Sequence, residues 1–217
     1  MEWFHKAKLG IFIHWGVYAV KGVSESWSFY NKYLPHDEYM KQCEGFTASK
    51  YDPKAWVELI KESGAQYTVL TTKHHDGVAL WDTKQNGISV VKNTPAKRDL
   101  VTPFVNEVRK AGLRLGLYYS LPDWSHPDYP NMTRTDVRYK DDPKRWDNFC
   151  KFNFGQLKEL NTTYKPDLYW FDGDWEMSAE TWRAKEIMEL LRSTNKDVIV
   201  NSRITGYGDY ATPEQGV

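Results

Sequence analysis

The sequence predicts an α/β domain whose parallel strands follow the plan of a (β/α) TIM-like barrel. Three observations carry this. Apolar runs of strand length alternate with amphipathic helical segments from residue 50 onwards, and strand–helix alternation makes successive strands parallel. No hairpin signal joins any two of the runs. No glycine-rich phosphate loop follows the first strand, which sets the barrel above an open, doubly wound sheet. The whole chain, residues 1–217, is read as a single domain, and that length can bury a substantial core.

The first strand is read over Lys8–His14, where Leu9, Ile11, Phe12 and Ile13 form the near-continuous apolar run of a covered parallel strand. It ends at His14-Trp15-Gly16. A connection through residues 17–47 follows, carrying Glu25, Trp27 and several Tyr and Phe; connections this long are uncommon unless functional. Asp52 then caps a helix with Pro53 at its first position, Trp56, Val57, Leu59 and Ile60 on one face, and Gly64 as its stop. The second strand, Tyr67–Thr71, runs into Thr72-Lys73-His74-His75-Asp76-Gly77. The unit repeats with Thr102 as cap, Pro103 next, Phe104, Val105, Val108 and Ala111 as the apolar face and Gly112 as stop, giving the third strand, Arg114–Tyr118. A helix from Pro143 places Trp146, Phe149, Cys150, Asn153, Leu157 and Leu160 at three- and four-residue spacing. The fourth strand is Leu168–Phe171. Ser178 is read as cap of a helix carrying Trp182, Met188, Leu190 and Leu191, and Asp197–Asn201 as a fifth strand leading to Ser202-Arg203.

Composition narrows the function classes. Basic and acidic residues balance at 29 each and no basic block stands out, so nucleic acid is not an expected partner. No apolar run is long enough to span a bilayer, so no membrane partner is expected either. Met1-Glu2-Trp3-Phe4 enters a strand-like segment directly, without the pattern of a signal peptide. Cys43 and Cys150 are too few for a zinc knuckle and dictate no disulfide framework. Asn131-Met132-Thr133 and Asn161-Thr162-Thr163 match the glycosylation sequon by pattern alone. Aromatic residues reach 15%, with ten Trp and fourteen Tyr. Indoles in loops beside carboxylates present flat apolar faces that suit the C–H faces of sugar rings, so carbohydrate is the expected ligand class.

The chemistry collects where strands end: His14 with Trp15, His74 with His75 and Asp76, Tyr118 with Tyr119, Asp172 with Asp174, and Arg203. In a (β/α) barrel the carboxyl ends of the strands share one face, and that face carries the active site. Each residue also has a plain structural reading. Asp172-Gly173 is a common turn dipeptide, a strand-end His is often a hydrogen-bonded structural residue, Tyr118 and Tyr119 suit packing, and Arg203 suits an ion pair. It is the convergence of five strand ends that favours catalysis. His74, His75 and Asp76 offer a metal-dependent hydrolase as an alternative, but adjacent residues of an extended chain point to opposite sides and no His-x-His pair occurs, so no metal or other cofactor is expected. Sugar cleavage needs two carboxylates. Asp172 supplies one; Asp174 and Glu176 lie too close to it in sequence to face it across a sugar, which leaves Glu214 as the partner candidate.

Four segments in register, Leu9-Gly10-Ile11-Phe12-Ile13-His14-Trp15-Gly16, Thr71-Thr72-Lys73-His74-His75-Asp76-Gly77, Leu115-Gly116-Leu117-Tyr118-Tyr119-Ser120 and Trp170-Phe171-Asp172-Gly173-Asp174-Trp175-Glu176, resemble the α-L-fucosidases of glycoside hydrolase family 29. The resemblance covers nearly the whole chain. It implies a retaining hydrolase that releases α-linked L-fucose from fucosylated glycans through a covalent fucosyl–Asp172 intermediate, without a cofactor. By the same resemblance His14, His74, His75, Tyr118, Trp170 and Arg203 hold the sugar or orient the nucleophile, and Trp27 forms an aromatic wall. Where the family often has Glu directly before that Trp, this chain has Ser26, with Glu25 one position earlier. The family's acid/base varies in position: in some members it falls near Glu214, in others in a later Trp-Glu segment that this chain does not contain. Family catalytic domains continue further and are often followed by a β-sandwich, so the resemblance implies a barrel lacking its last strands. It also leaves an inactive, fucose-binding fragment as an alternative, and implies a secreted, periplasmic or lysosomal setting.

Overall fold

A computed structural model of the chain describes residues 1–213. Five parallel strands form one sheet: β1 (Gly10–Ile13), β2 (Tyr67–Lys73), β3 (Arg114–Ser120), β4 (Leu168–Asp172) and β5 (Ile199–Val200). They lie side by side in chain order, β1-β2-β3-β4-β5. Every crossover therefore advances in the same direction, and right-handed connections that never reverse place their helices on one face of the sheet. Those helices are α1 (Pro53–Glu62), α2 (Val101–Lys110), α3 (Pro143–Tyr164) and α4 (Ala184–Thr194).

Side-chain alternation along the strands separates two apolar layers. Leu70, Leu115, Leu117, Tyr119, Tyr169, Phe171 and Val200 join Val57, Ile60, Phe104, Val108, Phe149, Leu157, Ile187 and Leu191 of the helices in the main core. The residues between them in the strands, Val69, Tyr118, Leu168 and Ile199, form a second cluster on the opposite face, against which Phe12, Tyr67 and Trp170 pack. A sheet apolar on both faces explains why its strands read as continuous apolar runs. Among the described residues no helix is long and apolar enough to cross a membrane.

Helix starts follow local chemistry, with two corrections. Asp52 and Asp142 accept from the N–H groups of Ala55 and Arg145, each with proline at the helix start. Thr102, expected as a cap, instead lies inside α2. Asp99 Oδ1 takes the N–H groups of both Val101 and Thr102 at 2.8 Å, and the helix starts at Val101, two residues earlier than a Thr102 cap would start it. Ser178 caps only a local turn, its Oγ accepting from Thr181 N at 3.2 Å; α4 begins after Arg183, which takes a left-handed backbone at φ 55°.

The strand ends also differ from expectation. β2 extends through Lys73 with a register shift between Thr71 and Lys73 against β3. β3 and β4 run on to Ser120 and Asp172, whereas β5 contains only Ile199 and Val200. Beyond it the Asn201 side chain continues the ladder, its Oδ1 accepting from Phe171 N at 2.8 Å and its Nδ2 donating to Phe171 O at 2.9 Å. The long first connection holds short helical turns over Trp27–Tyr30, His36–Met40 and Gln42–Gly45.

Candidate active site

Strand period two decides which side chains meet. On β4, Tyr169 and Phe171 enter the core under the helices, while Leu168 and Trp170 face the other layer. Asp172 shares the parity of Trp170 and emerges at the carboxyl end of that second face. Its neighbour on β3 is Ser120, and Tyr118 stands opposite Trp170.

Both oxygens of Asp172 are held. Arg203 Nη1 donates to Oδ1 at 2.6 Å and the Tyr118 hydroxyl to Oδ2 at 2.9 Å. Burial and the adjacent Asp172 charge push the Tyr118 phenol well above its ordinary range, so it remains a donor. Arg203 Nε reaches Thr212 Oγ1 at 3.4 Å, which fixes the plane of the guanidinium. The carboxylate is thereby aimed, with lone pairs to spare.

Three imidazoles surround it. The His14 ring lies 5.0 Å from that of His74 and 5.5 Å from Tyr118. The rings of His74 and His75 are 4.4 Å apart, contrary to the expectation that adjacent residues diverge. The reason is local: β2 ends at Lys73, and residues 74–77 form a turn in which Gly77 N donates to His74 O at 3.1 Å. Strand alternation no longer applies there. His74 Nδ1 bonds Ser26 Oγ at 2.5 Å and His75 Nδ1 bonds Ser120 Oγ at 2.6 Å. Burial lowers all three imidazole pKa values, that of His75 to about 4 and that of His74 well below its ordinary value, against the opposing pull of Asp172 on His75 and of Glu25 and Asp172 on His14. All three are neutral at pH 7. A neutral imidazole has one donor and one acceptor, which suits hydroxyl groups.

Aromatic rings wall the cleft. A cavity of about 550 Å³ is lined by Trp27, Asp172, Trp175, Arg203 and Thr212. Trp27 packs edge-on against His75 and Trp124. Trp175 stands nearly parallel to Trp27, their centroids 6.3 Å apart at 15°. Two stacking contacts need more than about 7 Å, so no ring fits between them; they form one stepped wall. Trp175 is 52% exposed, yet its neighbours are pinned. Glu176 accepts from Trp124 Nε1 at 2.9 Å, from Asn131 Nδ2 at 3.1 Å and from the Tyr129 hydroxyl, and Asp174 accepts from Thr205 Oγ1 at 2.8 Å.

The structure thus gathers Asp172, His14, His74, His75, Tyr118, Trp27 and Arg203 at one sheet edge, with Trp170 below them against Phe12 at 5.3 Å. Glu214 lies outside the described residues. Asp76 does not join the histidines: its carboxylate accepts from the Tyr39 hydroxyl at 2.6 Å and from Val78 N at 2.9 Å. Among the described residues, the potential ligand atoms that do lie within 4.8 Å of one another belong to His74, His75 and Asp172, and there the Arg203 cation already faces the carboxylate and opposes a second positive charge. Glu25 Oε1 lies 3.8 Å from His14 Nε2 on a backbone with φ 23°, while Ser26 turns inward to His74. Neither sequon is available as a free amide: Asn131 is engaged by Glu176, and buried Asn161 donates to the carbonyls of Leu190 and Leu191. Sequence reasoning missed Ser26, Ser120 and Trp175 as site residues. The signal for Ser120 was its place at the end of a strand beside Tyr118 and Tyr119.

Comparison with known proteins decides the family, because a sequence profile described as alpha-L-fucosidase matches residues 1–217. The chain belongs to the α-L-fucosidase family. It is 34% identical to the tissue α-L-fucosidase of Mus musculus, over 93% of this chain and 47% of that protein. It is also 34% identical to an α-L-fucosidase of Branchiostoma floridae, over 95% and 49%. Among solved structures, α-L-fucosidase isoenzyme 1 from Paenibacillus thiaminolyticus superposes with a TM-score of 0.91 at 37% identity, covering 100% of this chain and 55% of that one. An α-L-fucosidase from Lactobacillus casei in complex with its α-L-fucose product gives 0.83 at 30% identity, covering 99% and 73%. The chain spans about half the length of the curated relatives it matches.

Proposed function

We propose that this chain carries the sugar-binding face and the nucleophile of a retaining α-L-fucosidase, set on part of a (β/α) barrel. The observation that carries the reading is Asp172 at a strand end, both oxygens held by Arg203 and Tyr118 and flanked by neutral His75. In a double displacement, a carboxylate oxygen of Asp172 attacks the anomeric carbon as the glycosidic C–O bond breaks and an acid protonates the leaving oxygen. Water then attacks that carbon, gives its proton to the same group, and releases Asp172, so the configuration is retained. The donors on Asp172 orient it for attack, and Arg203 receives its charge again when it leaves. His14 and His74 stand where sugar hydroxyls would reach them, and the Trp27–Trp175 wall suits the apolar face of a sugar at the mouth. The acid/base is the second carboxylate; Asp174 and Glu176 are committed to other donors, and Glu214 keeps the role that its place after Arg203 suggests. The substrate class is a glycan ending in α-linked L-fucose, as supported by a family relative solved with Fuca(1,6)GlcNAc.

The test is trapping with 2-deoxy-2-fluoro-L-fucosyl fluoride followed by peptide mass spectrometry. The label is expected on Asp172, and label on another carboxylate overturns the assignment. Asp172→Gly is expected to lower turnover of an aryl fucoside by about a thousandfold or more, with partial recovery in azide.

A further inference from the structure

Ser120 sits fully buried at the carboxyl end of β3, directly opposite Asp172 in the register of β3 and β4. Its hydroxyl has two short contacts, His75 Nδ1 at 2.6 Å and the carbonyl oxygen of Pro122 at 2.6 Å. One hydroxyl hydrogen cannot serve both. The carbonyl has no hydrogen to offer and the imidazole does, so the hydroxyl donates to Pro122 O and accepts from Nδ1–H. A neutral imidazole carries a single N–H, which leaves Nε2 as a bare acceptor. Among the described residues Nε2 has no partner, and it is buried and lies 3.6 Å from Asp172 Oδ2, too far for a hydrogen bond. Two acceptors thus face one gap beside the nucleophile, and only a donor settles them. The ring is packed 4.6 Å from Trp124 and 5.6 Å from Trp27, and turning it over in place would set a carbon against Ser120 Oγ and lose the hydrogen bond to Nδ1.

We infer that Ser120 is a positioning residue that dictates which nitrogen of His75 carries the proton, and so presents an acceptor beside Asp172 for a hydroxyl of the sugar. The inference rests on the fucosidase reading for the identity of that hydroxyl, but the tautomer itself does not. Burial keeps His75 neutral across the physiological range, its pKa pushed down to about 4, so the tautomer persists where the enzyme would work. No proton is transferred in this role. Ser120 holds Nδ1–H, and Nε2 accepts a hydrogen bond that orients the sugar over the carboxylate.

Long-range proton–nitrogen NMR of the histidine-labelled protein at pH 7 tests this. His75 is expected to show a protonated Nδ1 and an unprotonated Nε2. In Ser120→Ala the proton is expected to redistribute to Nε2, and kcat/KM for 4-nitrophenyl α-L-fucoside to fall roughly 10- to 100-fold, as for other residues that orient an imidazole. Ser120→Thr, which keeps the hydroxyl, is expected to retain the tautomer and most of the rate. A proton on Nε2 in the unmodified protein, an unchanged imidazole in Ser120→Ala, or an unchanged rate in that variant overturns the inference. If Ser120→Ala does not fold, the unmodified protein and Ser120→Thr still decide it. If the chain neither hydrolyses a fucoside nor binds L-fucose, the fucosidase reading fails while the nitrogen shifts still answer for Ser120.

Discussion

Arg203 and Tyr118 divide the oxygens of Asp172 between them, and the two donors are not equivalent. Tyr118 contributes one hydroxyl from a buried ring, whereas Arg203 contributes charge, a directed N–H and a second tie through Nε to Thr212. A hydrogen bond to a charged group contributes about 1.5–3 kcal/mol. Tyr118→Phe is therefore expected to cost roughly 10- to 100-fold in kcat/KM for an aryl fucoside. Arg203→Lys keeps the charge but loses the planar fork, and is expected to cost more than Tyr118→Phe; equal or smaller losses would mean that charge alone matters. Trp175 stands at the mouth of the same cleft, its ring 5.9 Å from the Arg203 guanidinium and 6.1 Å from the His75 ring. Because its ring is half exposed at the mouth while Asp174 and Glu176 are pinned, removing it should affect the leaving group and leave the fucose itself bound. Trp175→Ala is expected to raise KM several-fold for 4-nitrophenyl fucoside and leave hydrolysis of α-L-fucosyl fluoride, which has no ring to stack, within about twofold. A parallel loss on both substrates would place Trp175 in fucose binding instead.

At the scale of elements, the turn after β2 brings His74 and His75 to the same cleft, and a buried ion pair holds it. Lys73, with no exposed surface, has its ammonium 3.8 Å from Asp123 and 3.1 Å from the Tyr119 hydroxyl. Burial pushes its pKa down to about 8 against the pull of Asp123 and Asp76. Asp123 in turn accepts from Ser125 N and His126 N at 3.1 and 2.9 Å, and its Oδ1 lies 2.2 Å from where a Cβ on Gly77 would stand. Gly77 has φ 80°, so Gly77→Ala meets both a left-handed backbone and the carboxylate. It is expected to lose about 2 kcal/mol or more in urea unfolding, with the His74–His75 turn displaced. Asp123→Asn leaves the Lys73 charge without its counterion and is expected to destabilise by about 3–5 kcal/mol, more than Lys73→Met, after which the Asp123 carboxylate still accepts from the N–H groups of Ser125 and His126; the reverse order would show that Asp123 acts only through its backbone contacts. This layer explains what was legible in the sequence. Apolar runs and proline-bearing helix starts revealed the parallel order and the strand ends, and with them Asp172, His14, Tyr118 and Arg203. The convergence of His74 and His75 was not legible, because it depends on a turn closed by Gly77 and on Asp123 filling the space left by that glycine, a contact between residues 46 positions apart. Ser120 was hidden for a similar reason: a strand-end serine acquires a role only once the neighbouring strand places His75 against it.

Over the whole molecule, burial near the site sets an opposition between histidines and one carboxyl. His14, His36, His74, His75 and His126 all have pKa values lowered chiefly by burial. Unfolded, they take up protons near pH 6.5; folded, they resist. Their stabilisation is therefore complete above pH 6.5 and is lost as pH falls towards their folded values. For His75, between 6.5 and about 4, this amounts to about 3 kcal/mol. Asp76 acts with the opposite sign. Burial raises its carboxyl to about 6 despite the Tyr39 and Val78 hydrogen bonds, so the folded state holds a proton that the unfolded state releases. Its contribution is present below pH 4 and is lost as pH rises through 6, again about 3 kcal/mol. His75 and Asp76 nearly cancel, and the four other histidines tip the balance towards neutral pH. The urea midpoint is expected to be higher at pH 7 than at pH 5. Asp76→Asn removes the opposing contribution and should steepen that rise; His75→Gln should flatten it. A midpoint that falls between pH 5 and 7 even in Asp76→Asn, where the opposing carboxyl is gone, would mean that the histidines are charged in the folded protein, and the site would then meet its ligand with imidazolium donors in place of neutral rings.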